Sequence, residues 1–126
     1  MNSFRSKFEK KMHTILTKAF PRVKYEPDSF AYIQPAIKRS YTPDFRMKRN
    51  VYIETKGKLD LATRQKMVWF KECNPNICII FLFMNPSNKI TKRSKTTYAM
   101  WAEKNGFLWL DARKDFVNDY KKLNTK

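Results

Sequence analysis

Eight consecutive apolar residues, Ile77 to Met84, constrain this chain more than any other stretch. The run is far short of the ~20 residues that cross a bilayer, and it suits a buried strand. Because no polar residue alternates within it, both faces of that strand must be covered. The expectation is an α/β fold in which a mixed sheet is flanked by helices.

The flanking sequence supplies the rest of that layer arrangement. Residues 3–20 read as a helix, with Phe4, Phe8, Met12, Ile15, Leu16 and Ala19 in one stripe and Pro21 as its stop. Glu9 lies at the margin of the stripe, where a carboxylate looks sideways into a cleft. Residues 23–26 read as a short strand and residues 30–34 as a second extended piece, interrupted by Pro35; residues 36–40 read as a connector. Residues 41–45 and 51–56 are the expected arms of a hairpin. Asp60 is the expected N-cap of a helix to Cys73, with Leu61, Met67, Val68 and Trp69 or Cys73 on its buried side. A third helix begins at Thr96 or Thr97 and stops at Asn105-Gly106. Residues 107–110 form a last strand, and a short helix through Phe116 and Tyr120 follows in the tail.

The length of 126 residues fits one domain with a real core. The net charge of +16 exceeds what solubility needs and points to a polyanionic partner, nucleic acid first. With no apolar signal core at the N-terminus and no spanning segment, the expectation is a soluble intracellular protein without a membrane partner. Cys73 and Cys78 are the only cysteines and His13 the only histidine, so the spacing matches no zinc motif, and core thiols are expected over a disulfide or a metal site.

Against 27 basic residues stand only 11 acidic ones, and two of these fall between apolar strand residues. Thr42-Pro43-Asp44-Phe45 is followed, with nine residues between Asp44 and Glu54, by Glu54-Thr55-Lys56-Gly57. Alternation in the strand puts Val51 and Ile53 on one face and Glu54 and Lys56 together on the other. The hairpin partner brings in Asp44, so two carboxylates and an ammonium converge. Hard oxygen ligands select Mg²⁺ or Mn²⁺ over zinc, and the Thr55 carbonyl adds a further oxygen. Such a site provides what phosphodiester cleavage needs: an activated water, charge relief at the phosphate and a stabilised leaving oxygen. Lys56 orients water or phosphate, and Glu9 completes a second metal position. The bland alternative is a surface salt bridge on a strand, worth ~0–1 kcal/mol.

At these residues the chain resembles the endonuclease I family of the T-odd bacteriophages, Holliday junction resolvases of the PD-(D/E)xK nuclease superfamily. The resemblance is carried by Phe4-Arg5-Ser6 with Glu9, by Tyr41-Thr42-Pro43-Asp44-Phe45, by Ile53-Glu54-Thr55-Lys56-Gly57 and by Thr97-Tyr98 with Glu103-Lys104-Asn105-Gly106. It implies a restriction-endonuclease-like core and Mg²⁺-dependent cleavage of branched DNA, four-way junctions above all, inside an infected bacterial host. Glu9, Asp44, Glu54 and Lys56 match its catalytic positions. It further implies a domain-swapped homodimer, in which residues 1–29 pack on the partner, residues 30–40 form the bridge, residues 41–110 form the catalytic core and Glu9 acts in trans. The bridge sequence, with Ile37, Lys38 and Arg39, departs from the family, and the chain looks shorter at both ends.

DNA would be gripped by shape and phosphate contact, without base reading. Candidate contacts are Arg5, Lys7, Lys48 and Arg49 near the carboxylates, and Lys89, Lys92, Arg93 and Lys95 in the late loop. Trp69, Trp101 and Trp109 fall in core elements, which argues against base-stacking platforms. The alternatives are another nuclease on the same core (nicking, mismatch or restriction-type) and a basic DNA-binding protein without catalysis.

Overall fold

The computed structural model describes residues 4–34 and 37–125; Ser3 and the Pro35-Ala36 break lie outside them. Helix α1, Lys7–Ala19, is capped by the Ser6 hydroxyl, which accepts from the Glu9 amide. Strand β1 is Lys24–Tyr25, followed by β2, Phe30–Gln34, and β3, Ile37–Tyr41. Then come β4, Phe45–Lys48, β5, Val51–Lys56, α2, Leu61–Cys73, and β6, Cys78–Phe83. Helix α3, Tyr98–Lys104, strand β7, Leu108–Asp111, and helix α4, Phe116–Lys121, complete the chain. No helix among the described residues is long and apolar enough to cross a membrane.

Five strands form one mixed sheet in the order β1-β4-β5-β6-β7. The β1–β4 and β4–β5 pairs are antiparallel, whereas β5–β6 and β6–β7 are parallel, with α2 and α3 as the crossovers. The apolar run supplies β6, paired on both sides. Its Ile79, Phe81 and Phe83 face one core with Met67 and Phe70 of α2 and Trp101 of α3. Its Ile80 and Leu82 face the other, with Met12 and Leu16 of α1 and Phe116 of α4. The sheet is therefore covered on both sides, as the missing alternation demanded.

Ala36 lies outside the described residues, and residues 37–40 are not a connector. Ile37–Tyr41 pairs antiparallel with Phe30–Gln34 from Phe30↔Tyr41 to Gln34↔Ile37, forming a separate two-stranded sheet. The pairing satisfies backbone groups that a loop would leave to water. Lys38, Arg39 and Ser40 are all exposed, so no apolar alternation betrayed the strand. The hairpin docks on α2 through Phe30, whose ring meets Tyr52 and Phe70, and through Asn74 Nδ2, which donates to the Ala31 carbonyl at 3.0 Å.

The expected arm at 41–45 is split. Tyr41 ends β3 and Phe45 opens β4, because Pro43 between them has no N–H to give a ladder. The β4–β5 hairpin itself forms, with a bulge between Arg46 and Lys48 and Asn50 at φ +65° in its turn.

Two burial expectations fail in α2. Leu61 is 60% exposed, since it stands directly after the Asp60 cap while the helix buries Arg64, Met67 and Phe70. Cys73, in the last turn, is also exposed, and Cys78 is only half-buried; both thiols are free. Trp101 is buried, while Trp69 and Trp109 are half-buried against the same core. The C-terminal stop of α3 is as expected, with Gly106 at φ +80°.

Candidate active site

The carboxylates collect where β5 ends and β4 begins. In β5, Val51 and Ile53 pack toward α1, so the alternate Glu54 and Lys56 share the opposite face. Lys56 Nζ stands 3.3 Å from Glu54 Oε2. The other Glu54 oxygen, Oε1, accepts from the Tyr41 hydroxyl at 2.7 Å and from the Asp44 amide at 3.2 Å. Asp44 is held in turn by Thr55, whose amide and hydroxyl donate to Oδ2 at 2.9 and 2.7 Å. The remaining Asp44 oxygen, Oδ1, points toward α1.

There it meets Glu9. The α1 stripe packs against the sheet, and Glu9 at its edge is only 2% exposed. Glu9, Asp44 and Glu26 each offer a carboxylate oxygen within 4.8 Å of the others. Glu26 follows β1 at φ +48°, and its amide donates to the Asp44 carbonyl at 2.7 Å. One atom ties the three together: Arg5 Nη2 donates to Glu9 Oε2 at 3.1 Å, to Glu26 Oε2 at 2.7 Å and to Asp44 Oδ1. The Arg5 amide separately donates to Glu9 Oε1 at 2.7 Å.

The electrostatics follow from this crowding. Burial, and next the charge of Glu54, push Asp44 up to about 8, against the pull of its Thr55 hydrogen bonds. Burial also works to raise Glu9, but hydrogen bonds led by the Arg5 amide outweigh it and hold Glu9 below its ordinary value. Burial and then Glu54 push the Tyr41 hydroxyl well up, so it stays a donor. Lys66 of α2, whose ammonium lies 5.0 Å over the Tyr41 ring, is lowered by burial and by the nearby Lys56.

A cleft of about 200 Å³ opens on these groups, lined by Arg5, Glu9, Asp44, Glu54, Lys56 and Lys58 among others. A second hollow of about 360 Å³ adjoins it, with Tyr41, Lys56 and Lys66 in its wall. The donor set fits a hard divalent cation: it is all oxygen, and Glu9, Asp44 and Glu54 are largely dehydrated. Asp44, with Glu9 and Glu54 on either side of it, would hold such an ion.

The structure thus brings together Glu9, Asp44, Glu54 and Lys56, all within one chain, and places Arg5 among them. Lys7 is exposed in the first turn of α1. Lys48 and Arg49 are not near the cluster. They sit at the hairpin turn, the opposite end of β5, which is about 17 Å long at ~3.3 Å per residue. A hairpin separates its turn from its open end by the strand length, so closeness in sequence misled. Lys89, Lys92, Arg93 and Lys95 are exposed on the loop after β6, which leaves from the cluster end, where the Met84 amide donates to the Lys56 carbonyl.

Four participants escaped the sequence reading: Glu26, the Tyr41 hydroxyl, the Thr55 hydroxyl and Lys66. The alternation that selected Glu54 also marks Lys56, but nothing local marks Glu26, which reaches the site only because Tyr25 pairs with Phe45.

Comparison with known proteins agrees with this geometry. A family model described as phage endonuclease I matches residues 1–121. Endodeoxyribonuclease 1 of Enterobacteria phage T3 is 35% identical over 109 residues, covering 86% of this chain and 72% of the relative. Endonuclease I of Escherichia phage T7 is 32% identical over 111 residues, covering 88% of this chain and 74% of the relative. The match spans both Glu9 and the Asp44–Lys56 stretch, and on its extent the chain belongs to the phage endonuclease I family.

Proposed function

We propose that this protein is a divalent-metal-dependent endodeoxyribonuclease that resolves four-way DNA junctions by paired nicks. The observation that carries the reading is the buried Asp44 carboxylate, flanked by Glu9 and Glu54 and facing a cleft that Lys56 also lines. Both curated relatives are phage endonucleases by name, and the T3 one a deoxyribonuclease, which supports DNA as substrate and the infected bacterial cell as the place of action.

Asp44, Glu54 and the Thr55 carbonyl would hold the first ion, with Glu9 and Asp44 for a second; Mg²⁺ is the expected ion, and Mn²⁺ would substitute. The bound ion supplies a Lewis acid for the phosphate and a water of lowered pKa. The chain does the rest. Thr55 fixes the direction of Asp44, and Tyr41 that of Glu54. Lys56, 3.3 Å from Glu54, orients the attacking water or a phosphate oxygen. Arg5, Lys7 and the late-loop cations Lys89, Lys92, Arg93 and Lys95 take up backbone phosphates, and Lys48 and Arg49 do so at the far end of the sheet.

Junction selectivity follows from a homodimer. A two-fold assembly offers two equivalent sites to a substrate with two equivalent strands. In the exchanged form, α1 and β1 would pack on the partner's core and Glu9 would serve the partner's Asp44. A labelled four-way junction, a linear duplex of the same sequence and an EDTA lane test the whole reading. Junction cleavage that needs Mg²⁺ and exceeds duplex cleavage is expected. Equal rates on both substrates point to a nicking or restriction-type nuclease, and intact DNA in every lane points to a binding protein.

A further inference from the structure

We propose that a second phosphate-binding pocket lies at the opposite end of the sheet from the carboxylates and takes the sugar-phosphate backbone of a duplex arm. This rests on the reading above that DNA is the substrate, and adds a site that the catalytic cluster does not require.

A cavity of about 620 Å³ lies between the β4–β5 turn, the start of β6 and the end of α2. Lys48, Arg49 and Lys71 line it, and no carboxylate does. Among the described residues none of these three cations is ion-paired. In a chain with 11 acidic residues a face without them is easily made, so the positioning matters more than the count.

That positioning is built. Lys71 Nζ donates to the Gly106 carbonyl at 3.0 Å and lies 5.1 Å over the Phe107 ring. Residue 106 is a glycine at φ +80°, and a Cβ there would stand 3.0 Å from Lys71 Cε. On the other wall, Asn50 at φ +65° turns the hairpin, and its carbonyl accepts from the Cys78 amide at 2.7 Å. That bond fixes the turn carrying Lys48 and Arg49 to the edge of the cavity. Three cations are thus held around an open hollow that admits a polyanion, and neutral Asn50 and Asn76 amides complete the wall.

The spacing suits a duplex. The cavity lies at the start of β5, at Val51, and Glu54 stands three residues further along, about 10 Å away along the strand. At ~3.4 Å per base pair this is roughly three base pairs. A phosphate held here while another is cut would anchor an arm and so fix its direction.

The chain carries its own reporter. Cys78 lines the cavity, and Cys73 is exposed outside its lining; there is no other cysteine. The full chain is treated with a thiol alkylating agent in EDTA, with and without junction DNA, and each cysteine is followed by peptide mass spectrometry. With DNA at ten times its half-saturating concentration, Cys78 alkylation slows about tenfold and Cys73 is unchanged. Arg49→Gln and Lys48→Gln, both at an exposed turn that tolerates substitution, weaken that protection, and each lowers the salt slope of binding by about 0.9.

Unslowed Cys78 overturns the pocket, as does protection that survives both substitutions. Equal protection by millimolar inorganic phosphate alone overturns it too, since the hollow is then a small-anion site. The same samples, given Mg²⁺, are assayed for cleavage. Protein that cuts junctions with Cys78 unprotected loses only the pocket; protein that protects Cys78 but never cuts loses only the nuclease reading.

Discussion

The Tyr41 hydroxyl donates a 2.7 Å hydrogen bond to Glu54 Oε1, inside the protein and at the junction of its two sheets. Tyr41 ends the small β2–β3 pair, whereas Glu54 belongs to β5, the central strand of the main sheet. The bond leaves Glu54 Oε2 toward Lys56 and the cleft. Tyr41→Phe keeps the packing against Phe70 and removes only this restraint. It should lower metal affinity and cleavage by about 10–100-fold, as loss of a group that orients a metal ligand does. A melting temperature near wild type, with a raised Mg²⁺ requirement, is the expected signature.

Asp44→Asn and Glu54→Gln keep shape and remove charge. Each should cost at least about 10²–10³ in rate while junction affinity, measured in EDTA, stays within a few-fold. Normal turnover by either variant removes the metal assignment.

The exchanged dimer makes a sharper claim. Glu9→Ala and Asp44→Asn are each inactive alone. Mixed and allowed to exchange subunits, they regain one intact site per heterodimer if Glu9 serves the partner's Asp44. Without exchange every site keeps one lesion, and confirmed heterodimers stay dead.

Arg5 Nη2 already occupies the space among Glu9, Glu26 and Asp44. A divalent ion must compete with it, and the Arg5 side chain, 63% exposed, is free to swing outward. Arg5→Gln should therefore bind Ca²⁺ roughly tenfold tighter by calorimetry, a coupling of ordinary size between two ligands of one site. Weaker binding would make Arg5 a structural prop and no competitor.

Asp60 caps α2 by accepting from the Thr63 amide at 2.8 Å. That hydrogen bond holds its pKa below the usual carboxylate range. Asp60→Ala should cost about 1 kcal/mol near neutral pH. A depressed folded value means the cap's charge-dependent contribution is complete above the unfolded pKa of ~3.9 and is lost as pH falls through the folded one. Urea denaturation at pH 7 and pH 3 should show the difference between wild type and variant shrinking in acid.

Local pattern carried much of this fold. The apolar run gave β6 both of its faces, Asp60 and Gly106 marked the ends of helices, and strand alternation put Glu54 beside Lys56. What failed depended on distant pairing. The β2–β3 hairpin has exposed Lys38, Arg39 and Ser40 where alternation would have revealed it. Glu26 is placed by the pairing of Tyr25 with Phe45, and nothing in Tyr25-Glu26-Pro27 announces a carboxylate near a metal. Lys48 and Arg49 are close to Asp44 and Glu54 in sequence yet stand at the turn end of the β4–β5 hairpin, about 10 Å along the strand from Glu54. Leu61 and Cys73 show the limit of helical periodicity at helix ends, where a residue outruns the surface it should cover.

The hydrogen bond from the Glu26 amide to the Asp44 carbonyl closes residues 27–43 into a clasped loop. Its stem is cinched beside the carboxylates, where Tyr25 pairs with Phe45. Doubling such a loop adds only about 0.6 kcal/mol of closure entropy. Changes of length within the loop should therefore cost the fold little, so this arm is where relatives can diverge in reach while the clasp keeps Glu26 beside Asp44.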